Sequence, residues 1–62
     1  MMNKLKEKRI KKNISRMELA IAAGVGPRYI GFIEENKRNP SLDIAYRIAR
    51  KLETSIEEIF FS

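Results

Sequence analysis

The basic side chains are the residues of this chain whose types and spacing could do chemistry. Residues 1–13 hold six Lys and Arg residues against one Glu and carry the whole net charge of +5, because residues 14–62 balance seven basic against seven acidic side chains. Such an excess attracts polyanions, although a run of lysines can also be a solvated helix face. Arg28 follows a Gly-Pro pair, and a guanidinium there could bind phosphate or the paired acceptors of guanine.

Catalytic and metal-binding patterns are missing from the sequence. The chain contains no cysteine and no histidine, which excludes disulfides and the usual zinc sites and removes the commonest general base. Glu57 and Glu58 are adjacent in a predicted helix and therefore point apart, and no nucleophile is spaced for activation by a base. We expect no enzymatic activity, no metal and no cofactor.

A helix-turn-helix pattern occupies the middle of the chain. Ser15 and Glu18 form a predicted capping box, in which the serine oxygen accepts the Glu18 amide and the glutamate reaches back to the serine amide. Gly24 suits the left-handed conformation that ends a helix. Gly26 is a tolerable cap for a second helix, and Pro27 fits its first position, where no amide is needed. Two short helices hinged at Gly24 are therefore predicted.

The whole chain is predicted to be all-α, as one domain spanning residues 1–62. The predicted helices cover about 3–12, 16–23, 27–35, 42–52 and 56–60. Asn3 is a good cap for the first helix, and Asn13 tolerates the left-handed geometry after it. Ser41 and Ser55 cap the last two helices. So short a chain buries only about 60% of its unfolded surface, which predicts a thin core and therefore either marginal stability or oligomerisation.

Apolar residues at helical spacing predict the buried faces. The first helix has a sparse apolar content, namely Leu5 and Ile10, so its docking must rest partly on other contacts. Ile30 and Ile33 of the third helix are expected to face inward. The fourth and fifth helices carry the stripes Leu42, Ala45, Ile48, Ala49 and Leu52, and then Ile56, Ile59 and Phe60. These stripes are predicted to be core.

The ordered set of residues resembles the lambda-repressor-like, XRE-type helix-turn-helix family of phage repressors and bacterial regulators. No single short segment is diagnostic, but the set occurs at family spacing over nearly the whole chain. Its members are Lys8-Arg9-Ile10-Lys11-Lys12-Asn13-Ile14-Ser15, Glu18-Leu19-Ala20, Gly24-Val25, Ile30, Ile33-Glu34, Lys37-Arg38-Asn39-Pro40-Ser41-Leu42 and Ile48-Ala49. The resemblance implies a compact five-helix fold with helix three in the major groove of double-stranded DNA.

Three positions depart from the family pattern. Arg16 stands where the family usually has a glutamine that binds a phosphate, and a charge-assisted bond can keep that contact. Gly26 and Pro27 replace the usual serine or threonine at the start of helix three, so a hydroxyl contact to DNA is lost. Asn36 replaces the usual glycine after helix three and can adopt the same backbone. These changes leave the target sequence open.

Four residues of helix three are predicted to contact DNA bases: Pro27, Arg28, Gly31 and Phe32. The alternative for Arg28 is a phosphate contact or a solvated side chain. Phe32 could touch thymine methyls, or it could pack against lysine stems of helix one or against a partner. Gly31 removes a side chain where DNA must come close, at a cost in helix stability of roughly 1 kcal/mol relative to alanine. Simple drift to a small residue is the alternative there.

The predicted phosphate contacts are Arg16, Tyr29, Asn36, Lys37 and Arg38. Such contacts fix the docking register and give salt-dependent affinity without reading sequence. Lys37 and Arg38 also fit a simple polar loop.

Arg9 and Glu34 are predicted to form an ion pair between helix one and the end of helix three. Both residues match positions that pair across the core in the resembling family, and the sparse apolar face of helix one requires a further contact.

The expected working form is a homodimer on an inverted repeat, joined near the C-terminus through Phe61 and Phe60. Phe61 falls outside the inward stripe, so a monomer would expose it unless the chain end folds back. The function indicated is sequence-specific DNA binding by a small regulator, most simply a repressor. The alternative is a protein-interaction module, such as the antitoxin or immunity component of a two-protein system. We expect a cytoplasmic protein with no membrane segment and no small-molecule ligand.

Overall fold

The computed structural model describes residues 3–61, and within them the chain forms five helices and no strand. The helices are α1 (Leu5–Lys11), α2 (Arg16–Ala23), α3 (Pro27–Glu34), α4 (Leu42–Lys51) and α5 (Ile56–Phe60). The all-α prediction is confirmed. The predicted bounds of α2 and α5 are correct, whereas α1, α3 and α4 are shorter than predicted by one or two residues at an end.

Local capping interactions set the helix starts. Ser15 Oγ accepts the Glu18 amide at 3.0 Å, and Glu18 Oε1 accepts the Ser15 amide at 3.4 Å, so the capping box is present. Ser41 and Ser55 accept amides in the same way at the starts of α4 and α5. The prediction that Asn3 caps α1 was wrong, because the N-cap is Lys4. Asn3 Oδ1 instead accepts the amide of Leu5 at 2.9 Å, from the residue before the cap, and α1 begins at Leu5.

Left-handed residues follow the ends of four of the helices. Gly24 has φ 75°, and a Cβ at that position would lie 3.1 Å from Nη1 of Arg47, so both backbone and space favour glycine. Asn13 and Asn36 adopt φ 59° and 60°, as their predicted roles require. Glu53 follows α4 with φ 56°, a conformation that the sequence did not indicate for a glutamate.

The core lies where all of the helices meet. The α2 helix packs against α3 and α4, α1 packs against α3 and α5, and α4 packs against α5. Small residues of α2 and α4 allow the close approach of their helices: Ala20, Ala23 and Ala49 are almost fully buried. The largest fully buried side chains are Leu5, Leu19, Ile30, Ile33, Ile48, Leu52 and Ile59.

Two large apolar side chains of the helices, Ile10 of α1 and Leu42 of α4, are exposed. Ile10 is 57% exposed, because it lies about 140° around the helix axis from the buried Leu5. Leu42 is 77% exposed. It is the first residue of α4, and the side chains of a helix tilt toward its N-terminus. The Leu42 side chain therefore lies beyond the helices that cover the rest of the apolar stripe. The prediction that Leu42 belongs to the core was therefore wrong.

Candidate nucleic-acid interface

A shallow depression of about 340 Å³ lies beside the N-terminal half of α3. It brings together Arg16 and the four predicted base-contact residues, and the lining residues are Arg16, Pro27, Arg28, Gly31, Phe32 and Glu35. Pro27 starts α3 after Gly26, whose extended backbone sets the direction of the helix. We call this surface the α3 depression. Glu35 is its acidic member, and the sequence did not single it out.

Arg28 is the basic residue most available at this surface. It is the second residue of α3 and is exposed. Within residues 3–61 its side chain makes no hydrogen bond and no ion pair. All five guanidinium donors are therefore open to a ligand. Phe32 lies one turn further along the helix and is half-buried, so one part of its ring faces the depression while the rest is covered.

Gly31 is buried beneath the side chain of Arg16. A Cβ on Gly31 would lie 3.4 Å from Nη1 and 3.6 Å from Cζ of Arg16. The outward-facing position expected for Gly31 is thus covered by protein, because the guanidinium spans from α2 across α3 to reach Glu34.

Two arginines converge on the carboxylate of Glu34, at the C-terminal end of α3. Arg9 Nε donates to Oε2 at 2.6 Å, and the side chains of Arg9 and Glu34 are only 11% and 1% exposed. Arg9 also donates to the carbonyl oxygen of Ile14 at 2.9 Å. Arg16 Nε donates to Oε1 at 3.1 Å, with its side chain 44% exposed. The structure therefore brings Arg9 and Glu34 together and adds Arg16, whose pairing the sequence did not indicate.

The other predicted phosphate contacts lie elsewhere around α3. Tyr29 is half-buried and packs against the core. Lys37 is exposed, with Nζ 3.3 Å from Glu35 Oε1. Asn36 and Arg38 line a different concavity, on the C-terminal side of α3. The structure thus places Arg16 in one concavity and Asn36 and Arg38 in another.

That second concavity, of about 520 Å³, is formed by the start of α4 and by α5, and we call it the C-terminal groove. Its lining residues are Asn3, Asn36, Arg38, Asn39, Pro40, Leu42, Ala45, Ile56, Phe60 and Phe61. Leu42 and Phe61 are 77% and 69% exposed and lie in the same groove. Phe60 is half-buried and packs against the core. Of the two predicted interface residues, Phe61 is therefore the freer.

Sequence reasoning missed a polar link between the start of the chain and the end of α3. Asn3 Nδ2 donates to the carbonyl oxygen of Ile33 at 2.8 Å and to Asn36 Oδ1 at 3.0 Å. The same asparagine accepts the Leu5 amide one residue before the helix cap, although the sequence indicated Asn3 as the cap itself. Its long-range partners left no signal in the sequence, because they depend on how α1 docks against α3.

A second unpredicted ion pair joins the end of α1 to the turn after α4. Lys12 Nζ contacts the Glu53 carboxylate. The hydrogen bond from Lys12 and its charge hold the pKa of the Glu53 carboxyl below its ordinary value of 4.5. The Glu53 side chain is 74% exposed, whereas the Glu34 side chain that accepts the two arginines is 1% exposed.

The helix pair α2–α3, hinged at Gly24 and carrying basic residues on an open face, defines a helix-turn-helix DNA-binding fold. A family model described as Helix-turn-helix matches residues 5–59. The chain belongs to this helix-turn-helix family, which confirms the resemblance to XRE-type regulators. Among the helices of residues 3–61, none is long and apolar enough to cross a membrane.

Known proteins of the same kind support this assignment. The chain is 47% identical over 60 residues to an uncharacterized HTH-type transcriptional regulator of Archaeoglobus fulgidus, covering 97% of this chain and 84% of the relative. It is similar in structure to the restriction-modification controller protein C.AhdI from Aeromonas hydrophila, with a TM-score of 0.82, 34% identity, and coverage of 90% of this chain and 85% of the other.

The biofilm regulator SinR from Bacillus subtilis, solved in complex with DNA, is similar to this chain as well. The TM-score is 0.76 at 35% identity, and the match covers 86% of each chain. The named relatives are regulators rather than enzymes. The chain is accordingly a helix-turn-helix transcriptional regulator with a DNA-binding fold.

Proposed function

We propose that the protein binds double-stranded DNA sequence-specifically, with α3 in the major groove. One observation carries the proposal: Arg28, in the first turn of α3, is exposed and makes no ion pair within residues 3–61. In a helix-turn-helix, the N-terminal residues of the second helix meet base edges. Arg28 then binds a guanine through O6 and N7, while Pro27 and Phe32 give apolar contacts beside it. Gly31 adds little bulk to that face.

Phosphate contacts on both sides of α3 complete the proposed docking. Arg16 lies at the start of α2, and Asn36, Lys37 and Arg38 follow the end of α3. These groups flank the helix as the two phosphate backbones flank the major groove. Tyr29 contributes its phenolic hydroxyl from the first turn of α3. The contacts set the register and supply most of the salt-dependent affinity.

The working form in this proposal is a homodimer that represses by occluding a promoter. Two observations support the dimer: Leu42 and Phe61 are both largely exposed, and both line the C-terminal groove. A second copy that covers them would remove these apolar side chains from water. Phe60 extends the same surface. A twofold contact there presents two copies of α3 about 34 Å apart, which fits an inverted repeat.

The second candidate function is a protein-interaction module of a two-protein system. The exposed Leu42 and Phe61 favour it, because an unrelated protein could cover the same groove. SinR has been solved in a complex with SinI protein as well as with DNA. In that case the basic surface beside α3 would be secondary.

A salt titration of binding separates the two candidates. The protein is titrated with random duplex and with duplex selected from genomic fragments, over a range of salt concentrations. The proposal predicts a log–log slope of about −0.9 for each phosphate neutralised and tighter binding to the selected sequences. A slope near zero on every duplex would remove DNA binding as the main activity.

Two matched variants locate the phosphate contacts. Arg38→Ala should weaken binding to both kinds of duplex equally and make the slope shallower by about 0.9. Arg50→Ala removes the same charge from α4, outside both the α3 depression and the C-terminal groove. It should leave the slope unchanged, and equal slopes for the two variants would contradict the placement of Arg38.

A further inference from the structure

We propose that Glu34 and Gly31 are positioning residues that hold the Arg16 guanidinium at the DNA-facing surface, so that it binds one phosphate in a fixed place. This inference rests on the proposed DNA-binding function and adds to it two residues that act through Arg16. It is carried by the contacts among Arg9, Glu34, Arg16 and Gly31, which we call the arginine–glutamate cluster.

The Glu34 carboxylate divides its two oxygens between two arginines. Oε2 accepts from Arg9, and Oε1 lies 3.1 Å from both Nε and Nη2 of Arg16. Since Glu34 carries one negative charge and the arginines two positive charges, the cluster keeps an excess of one positive charge. Arg9 is 11% exposed and Arg16 is 44% exposed. The excess charge is therefore presented to solvent by Arg16.

Only part of the Arg16 guanidinium is used on Glu34. A guanidinium has five N–H donors in a rigid fork, and the edge formed by Nε and Nη2 faces the carboxylate. Nη1 lies over Gly31, at the wall of the α3 depression. A side chain held on one edge loses less freedom when its other edge binds a ligand. The carboxylate thus orients the guanidinium before DNA arrives.

Gly31 provides the space in which the guanidinium lies. A Cβ on Gly31 would reach 3.4 Å from Nη1, which is an ordinary contact, so alanine fits. Any longer side chain must occupy the place of the guanidinium and displace it from Glu34. This role differs from the direct approach of DNA to Gly31 that the sequence indicated, because it makes the effect of Gly31 depend on Arg16.

A double-mutant cycle tests that dependence. DNA affinity and salt slope are measured for the parent, Arg16→Ala, Gly31→Leu and the double variant. Ile21→Ala is the matched control, because Ile21 is exposed on α2 and lies outside the α3 depression. Arg16→Ala keeps the Arg9–Glu34 pair, so the fold should remain. We expect it to weaken binding by about tenfold to a hundredfold, the range for a hydrogen bond to a charged group, and to make the slope shallower by about 0.9.

Gly31→Leu should show the same loss of affinity and slope as Arg16→Ala, and the double variant should show no further loss. Ile21→Ala should bind DNA like the parent. A Gly31→Leu effect that persists undiminished in the Arg16→Ala background would overturn the proposal in favour of direct DNA approach. If Arg16→Ala leaves the salt slope of DNA binding unchanged, Arg16 neutralises no phosphate. The ion pair between Arg16 and Glu34 would then be purely structural, and the proposal would be overturned. Both of these outcomes can be distinguished from failure of the proposed DNA-binding function, because in that case the parent protein itself would show no salt-dependent binding.

Discussion

The α3 depression and the C-terminal groove differ in the kind of side chain that each of them exposes. At the depression, charged side chains are already arranged: Arg16 is held by the buried Glu34, and Arg28 is open to a ligand. At the groove, two apolar side chains, Leu42 and Phe61, are largely exposed, and the polar Asn36 and Arg38 lie at the same concavity. A surface of the first kind suits a polyanion, and one of the second kind suits another apolar surface. The four changes below test that division, beginning with the largest effect.

Glu34→Gln should have the largest effect on stability. It removes the charge that Arg9 faces while leaving the shielded guanidinium in place, and breaking such a pair costs about 3–5 kcal/mol. Urea unfolding measures the change in the free energy of unfolding. Asp43→Asn is the matched control, since its pair with Arg47 at 3.3 Å is exposed and should contribute about 1 kcal/mol or less. Equal stabilities for Glu34→Gln and the parent would make the cluster a surface feature.

Phe61→Ser should affect assembly and leave the fold intact. If Phe61 is central to a twofold contact, its loss should raise the dimer dissociation constant by about thirtyfold, the effect of an interface residue worth about 2 kcal/mol. Sedimentation at micromolar concentrations checks this. Ile21→Ser is the matched control, because Ile21 is 73% exposed on α2 and lies outside the groove. A parent that is monomeric at these concentrations would leave the groove to a different partner.

Arg28→Ala should change specificity rather than stability. Loss of a bidentate guanine contact should cost about 1–3 kcal/mol on the preferred duplex and much less on random duplex. Because Arg28 has no partner within residues 3–61, thermal unfolding should be almost unchanged. Binding to both duplexes at one salt concentration is the measurement. Equal losses on the two would move Arg28 to the phosphate backbone.

Glu53→Gln should have the smallest effect, and only above acid pH. Lys12 lowers the pKa of Glu53 in the folded chain below 4.5, so the pair contributes stability above that value. The contribution is lost as the pH falls through the lowered folded pKa. Urea unfolding of the parent and the variant across this range should therefore show a small difference that disappears in acid. A difference that grows as the pH falls would contradict the sign of this effect.

The helices and their order could be predicted because their signals are local. Ser15 with Glu18, the left-handed Gly24 and the cap Ser41 each act within a few residues, and each acts as predicted. Burial at the ends of a stripe could not be predicted in the same way. Leu42 belongs to the periodic pattern, but its exposure depends on whether another element reaches the first turn of α4.

The residues of the candidate site could be predicted from the sequence, but the contacts between them could not. Arg16 and Glu34 are 18 positions apart, and their contact depends on the angle between α2 and α3. The sequence offered Arg16 as a free phosphate ligand and Gly31 as an open position. In the folded chain the two residues are in contact, because the Arg16 guanidinium must cross Gly31 to reach the Glu34 carboxylate.

The most direct test of the division between the two surfaces is to map DNA binding onto the backbone amides by NMR. A selected duplex is titrated into ¹⁵N-labelled protein at a fixed oligomeric state. The account predicts the largest shifts at Arg16, Arg28, Gly31 and Phe32, with Leu42 and Phe61 almost unchanged. The largest shifts at Leu42 and Phe61, with the amides around the α3 depression unmoved, would contradict it.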